Sequence, residues 1–506
     1  MSGATGMSGA GVQGSASLSN PDLLPVPPER RTWSMWHLAS LWVGMSVCIP
    51  TYMLAASMIG AGMTWQASLF AILLGNAIVL VPLVINAHAG TRYGIPFPVL
   101  ARASFGTAGA HVPSLLRSLV ACGWFGIQTW IGGLAIHALL SILWPVWPTL
   151  GGDWTFLDQT LPLYLSFLAF WLVNMYFVWA GTESIKWMET LAAPFLIAIG
   201  LALLWWAAAR VGGIGAILRQ SDALALAQPE PTRAHFLLGV FLPWLTAMVG
   251  YWATLSLNIP DFTRYSRTQR DQALGQAIGL LTTMPLFAFI GVAVTSATVL
   301  LYGEAIWNPI DLLARLSAEQ ATPWLGILAL LALLLATLTT NIAANVVAPA
   351  NSFSNVAPRR IDFRTGGLIA GLIGILILPW KLLDVYQGWL ISYSGLLGAV
   401  AGVMICDYVV VRRGRLSVSD LYLEGGAYGY TRGVNRRAMV ALVAGIAVAL
   451  LGKVVPGLGF LFSGAWFSAT LVAFGVYWLL MRAHVVTAPP VVEPAATAPL
   501  AASPTP

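Results

Sequence analysis

The sequence predicts an all-α polytopic membrane protein of twelve transmembrane helices, and three observations carry that prediction. Of 506 residues, 58% are hydrophobic and only 9% charged, far less charge than a water-exposed surface of this size carries. Apolar runs of roughly 20 residues, the length that crosses a hydrocarbon core of about 30 Å as a helix, recur along nearly the whole chain. Lys and Arg fall nineteen to one side of these runs and six to the other, the asymmetry that orients a membrane chain.

The predicted spans are 35–59, 66–88, 112–143, 160–180, 187–209, 235–257, 274–302, 322–345, 366–380, 386–411, 436–455 and 460–481, numbered 1 to 12 below. Span 3 is long and span 9 short. Residues 1–30 read as a disordered cytoplasmic tail, Gly-, Ser- and Ala-rich over 1–19, and residues 486–506 as a Pro- and Ala-rich disordered tail. Neither offers enough large apolar side chains to offset the entropy of ordering. The start lacks the basic and short apolar regions of a secretory signal, so span 1 is expected to remain in the mature protein. Charge bias places both termini in the cytoplasm and the chain in a bacterial-type inner (plasma) membrane. The pI of about 9.3 then reflects topology and contact with anionic lipid rather than nucleic acid.

Cys48, Cys122 and Cys406 are scattered and form no C-x-x-C pair, so no disulfide or metal framework is expected. The six His residues are equally dispersed, and no HExxH, GxSxG or P-loop is present. An enzyme has no constellation to rest on.

Spans 1, 3, 6 and 8 carry almost no charge apart from Arg117, which argues against a strongly charged substrate. They carry uncharged polar groups beside aromatics instead. Trp124 and Gln128 in "GWFGIQTW" are four apart and share a helical face. A π face beside an amide that donates and accepts suits a flat heterocycle with amide edges; the competing reading is a packing tryptophan and an interhelical amide. In "TLTTNIAAN" of span 8, Ala336, Thr339 and Thr340 cluster on one side, whereas Thr337, Asn341 and Asn345 follow at intervals of four on another. Hydroxyls offer oxygen ligands to a hard cation such as sodium, and the asparagines offer amide hydrogen bonds to a substrate. Both residue types also serve helix packing.

"WVGMSVCIP" (42–50) and "WATLSLNIP" (252–260) share W-x3-S-x2-I-P. Proline lacks the amide hydrogen and clashes with the preceding turn, so Pro50 should break span 1 and free backbone groups near Ser46 and Val47. In a bilayer such groups are tolerated only where protein, water or an ion meets them. Recurrence at spans 1 and 6 divides the core into two sets of five helices, 31–234 and 235–415. Five is odd, so the second set is inverted relative to the first, the plan of many secondary transporters. Residues 416–485 hold two additional helices. Pro260, beside Asp261 and Arg264, also fits a helix end.

At these motifs the chain resembles the nucleobase:cation symporter-1 family, which includes bacterial hydantoin, uracil and allantoin permeases. The likeness runs from about Asn20 to about Val440 through "NPDLLPVPPERRTW", "IPTYMLA", "YGIPFPVLARASFG", "GWFGIQTWIGG", "TTNIAAN" and "DYVVVRRGRLSVSDLY". The resemblance implies a LeuT-like five-plus-five inverted repeat with two C-terminal helices. It further implies alternating access by a symporter that imports a neutral planar heterocycle such as allantoin, uracil or a hydantoin; the chain is expected to function as a monomer. Carried over by position, it assigns substrate binding to Trp124, Trp252, Gln128 and Asn345, with Cys48 and Asn341 lining the site. It assigns a sodium site to Gly44, Val47, Ala336, Thr339 and Thr340, next to the break at Pro50. Cys48 stands where the hydantoin permease has glutamine, and Gln128 where plant relatives have "GIETW". The coupling ion is sodium or a proton, with no other cofactor; Glu183 and Glu189 are candidate proton carriers, or a structural cluster with Lys186. Alternatives are a thiamine, cytosine or nucleoside carrier, or a membrane sensor that binds without transport.

Overall fold

A computed structural model describes residue 15 and residues 17–180, 186–226, 232–319 and 324–484. Half of the predicted tail 1–30, all of the tail 486–506 and Glu183 lie outside the described residues, as do the side chains of Lys186 and Glu189. Nine described helices are long and apolar enough to cross a bilayer; Met35–Ser46 and Ile49–Gly60 form one further span bent by 57°. Two shorter apolar helices, Phe363–Leu376 and Ala465–Met481, occupy predicted spans 9 and 12. Together these are consistent with twelve spans.

Span 1 breaks where Pro50 predicts. Val47 (φ −85°, ψ 82°) and Cys48 (φ −147°, ψ 159°) are non-helical, and Pro50 sits in the first turn of the second half-helix, where its missing N–H costs nothing. The second copy of the motif behaves differently. Leu242–Asn258 is helical through Trp252, and Pro260 opens the single turn Pro260–Thr263, so Pro260 marks a helix end. Span 9 stops at Leu376, short of the expected 380, because Leu378 adopts φ +56° and Pro379 starts a new short helix, Pro379–Asp384.

Between spans 3 and 4 a small hairpin departs from the all-α expectation. Thr155–Phe156 pairs antiparallel with Gln159–Thr160, and Leu157 (φ 46°) and Asp158 (φ 67°) form its turn, the left-handed geometry that matches strand twist.

Spans 3 and 8, equivalent helices of the two expected repeats, pack together, and span 1 packs against span 7. Span 12 packs on spans 10 and 11 through small residues. A Cβ on Gly402 would lie 2.4 Å from the Thr470 carbonyl, an approach only glycine permits, and close backbone contact replaces the hydrophobic drive that lipid removes. Exposed Trp205, Leu376 and Val454 face outward, as apolar side chains do where the solvent is hydrocarbon.

The segment after residue 16 corrects the expected tail boundary of 30. Leu23 is fully buried and Val26 nearly so. Tyr422 Oη donates to the Leu23 carbonyl at 2.6 Å, Arg264 Nη1 to that of Asp22 at 2.9 Å, and Arg102 Nη2 to that of Leu18 at 2.7 Å. Val26 N donates to the Gly94 carbonyl at 2.9 Å. Leu23, Leu24 and Val26 supply apolar anchors and the arginines hold the backbone, so this strap crosses one end of the bundle.

Candidate substrate and cation site

The break in span 1 rearranges its backbone bonds. Thr51 N, which a continuous helix would aim at the Val47 carbonyl, donates to the Cys48 carbonyl at 3.1 Å. The Val47 oxygen thereby loses its helical partner. Span 8 approaches the same turn: Thr340 Oγ1 donates to the Gly44 carbonyl at 3.2 Å, and Thr339 Oγ1 to the Ala336 carbonyl at 3.0 Å. Val47 and Ala336 belong to one buried apolar cluster. The Gly44–Thr340 contact thus brings the span 8 members of the expected cation site, Ala336, Thr339 and Thr340, against the first half-helix, three residues before Val47. All five oxygens are neutral, a donor set suited to a hard, singly charged cation. Among the described residues no group of three His, Cys, Asp or Glu side chains forms a metal site.

The aromatic side of the site is more crowded than the sequence suggests. Trp124 meets Tyr251 edge-on at 5.0 Å between ring centroids, Trp389 at 5.1 Å and Tyr386 at 6.0 Å. Its Nε1 donates to Tyr393 Oη at 3.0 Å, and that hydroxyl donates to the Gly250 carbonyl at 2.9 Å. Trp252 packs on Tyr251 at 4.8 Å and on Trp42 at 5.0 Å. The two expected tryptophans are thus linked through the Tyr251 ring. The Tyr251 hydroxyl shares hydrogen bonds with Cys48 Sγ and Thr51 Oγ1, each at 3.1 Å, which brings Cys48 to the same cluster. Tyr386 Oη reaches the Pro50 carbonyl at 3.4 Å.

Gln128 is 4% exposed, and its Oε1 has no hydrogen-bond partner. Asn341 is differently engaged. Its Nδ2 faces the Phe125 carbonyl (3.3 Å), Thr129 Oγ1 (3.1 Å) and Asn174 Oδ1 (3.2 Å), and its Oδ1 accepts from Asn345 Nδ2 at 3.0 Å. Asn341 is a junction of spans 3, 4 and 8; Asn345, one turn on, keeps its carbonyl oxygen uncommitted. Sequence reasoning missed Tyr251, Thr51 and the span 10 aromatics. Tyr386, Trp389 and Tyr393 at i, i+3 and i+7 form a helical stripe visible in the sequence. It reads equally as packing.

A family model described as permease for cytosine/purines, uracil, thiamine and allantoin matches residues 25–468. The chain belongs to that family. This permease is 43% identical to a purine-uracil permease of Arabidopsis thaliana, over 92% of its own length and 78% of the relative's. It is 41% identical to an allantoin permease of Bacillus subtilis, covering 93% of itself and 95% of that protein. Its fold is similar to that of Mhp1, a nucleobase-cation-symport-1 family transporter, closed with bromovinylhydantoin bound. The TM-score is 0.75 at 27% identity, over 92% of this chain and 97% of that one. The permease is thus a multi-pass membrane transporter with the LeuT-like architecture that the sequence predicts.

Proposed function

We propose that this permease imports a neutral, planar, amide-rich heterocycle of the allantoin, uracil or hydantoin type, coupled to a cation. The observation that carries the reading is the Gln128 carbonyl, buried without a partner one helical turn from Trp124 in a span without nearby charge. An orphaned amide oxygen in such a place costs stability unless a ligand meets it. Trp124, Tyr251 and Trp252 supply the aromatic surface, and Gln128 and Asn345 the polar edge. Cys48 and Thr51 flank Tyr251, and Asn341 supports the site by fixing Asn345.

Sodium bound by the Gly44, Val47 and Ala336 carbonyls with the Thr339 and Thr340 hydroxyls would tie the two half-helices of span 1 to span 8. An ion that orders this break raises substrate affinity, and by linkage the substrate raises ion affinity equally. The permease works as a monomer in the inner membrane of a bacterial-type cell, termini in the cytoplasm, with inverted repeats at 31–234 and 235–415. It moves its ligand without chemical change. A screen of uracil, cytosine, allantoin, hydantoins and thiamine for uptake into proteoliposomes, with sodium or choline at fixed pH, tests the substrate and the ion. Binding without counterflow would mark a sensor instead.

A further inference from the structure

Arg117 lies on the same stripe of span 3 as Trp124 and Gln128, because residues seven and eleven apart fall on one helical face. Span 6 runs beside it in matching register. Tyr251 packs on Trp124, and Asn258, seven residues further on, accepts from Arg117 Nη2 at 2.8 Å. The seam between these two spans therefore leads from the aromatic cluster to the guanidinium, about 10 Å along the helix axis.

That guanidinium is under-used. Arg117 is fully buried, and neither Nε nor Nη1 has a hydrogen-bond partner. Asp261, the acidic side chain whose field reaches it, is held elsewhere: its Oδ1 accepts from Phe97 N at 2.9 Å and its Oδ2 from Asn258 Nδ2 at 3.5 Å. Fastening spans 3 and 6 together requires only the Asn258 bond. A cation retained at this depth with two nitrogens idle is expensive unless another group meets it.

We propose that Arg117 is a second binding station, which takes the carbonyl oxygens of the carried heterocycle after it leaves the Trp124–Gln128 site and before it exits past Asp261. The inference rests on the transport reading above. A guanidinium only donates, so it accepts a C=O edge and gives nothing to an N–H edge, whereas the Gln128 amide reads both. Such a station holds ureides, imides and pyrimidinediones alike and contributes to passage more than to choice.

The test compares uracil with 4-thiouracil, in which a weakly accepting sulfur replaces one carbonyl oxygen, using the full-length permease in proteoliposomes. Equilibrium binding reports the central site and the maximal exchange rate reports passage. In R117M, uracil binding should stay within about twofold while maximal exchange falls about tenfold or more. The uracil to 4-thiouracil ratio of maximal rates should also fall toward one. R117K, which keeps charge and donors on a single nitrogen, should recover part of the rate and of the ratio; it carries the test if R117M does not fold. A wild-type ratio in R117M, or in R117K a lowered rate with the ratio unchanged, overturns the station, since a purely structural arginine would slow both pyrimidines equally. If instead W124A and Q128A leave uracil binding untouched, the central-site reading fails.

Discussion

Replacing Asn341 with leucine separates packing from substrate contact at the junction of spans 3, 4 and 8. Asn341 Nδ2 has two hydrogens to share among the Phe125 carbonyl, Thr129 Oγ1 and Asn174 Oδ1, and its Oδ1 accepts one bond from Asn345. At most three full hydrogen bonds are lost. Side-chain bonds between membrane helices average about 0.6 kcal/mol, because the unfolded chain in lipid also finds partners; three of them come to about 2 kcal/mol. Leucine keeps the branched four-atom outline and leaves no cavity, and its greater bulk only adds to this loss, which is therefore a lower bound. N341L should therefore lower unfolding free energy by about 2 kcal/mol or more in a denaturing-detergent titration, while the substrate dissociation constant of the folded fraction moves about threefold or less. A variant within about 0.5 kcal/mol of wild type, the range of an inconsequential surface change, would refute the junction. Full stability with lost binding would return Asn341 to the substrate site.

Other perturbations probe separate parts of the molecule. Q128A should weaken heterocycle binding by about 1–3 kcal/mol, the value of a buried polar partner, without lowering the thermal midpoint; midpoint and binding are read on the same sample. T339A with T340A should abolish the difference between sodium and choline in uptake, leaving ion-free binding intact. D407N should destabilise by about 3–5 kcal/mol, because Arg412, paired with Asp407 at 2.7 Å and only 8% exposed, would be left buried and unpaired. Asp362 caps span 9 by accepting from Thr365 N at 2.8 Å, and that bond holds its carboxyl below the ordinary value of 3.8. A lowered folded value means the contribution is present at neutral pH and lost as pH falls through it; D362A should cost about 1 kcal/mol at pH 7, with the difference vanishing in acid.

The helices were legible because hydrocarbon imposes a single rule, a continuous apolar length, and charge-poor spans satisfy it without competing signals. Pro50 was legible for the same reason: a missing N–H inside an apolar run has few structural outcomes. Its counterpart Pro260 resisted interpretation, since the nine-residue pattern repeats while the flanking Asp261 and Arg264 turn it into a helix end. The contact of Thr340 with Gly44 could be anticipated only through family resemblance, because nothing local in span 8 points to span 1. Tyr251 was hidden beside Trp252, one aromatic among many, and its role depends on a long-range contact with Cys48 and Thr51. The strap was misjudged at its boundary because Gly and Ser dominate the first residues, while Leu23 and Val26 matter through arginines and a tyrosine supplied by distant segments.

That strap also sets an order of assembly. The Leu23 carbonyl waits for Tyr422, 399 residues later in the chain, so its docking groove is incomplete until ten spans have been synthesised. At about 5–20 residues per second the delay is roughly 20 to 80 s. Throughout that interval the strap has only its Gly94, Arg102 and Arg264 contacts to draw on, and the end of the bundle that it crosses is not fully sealed. One of the first pieces made is thus fully fastened only after ten of the twelve spans exist.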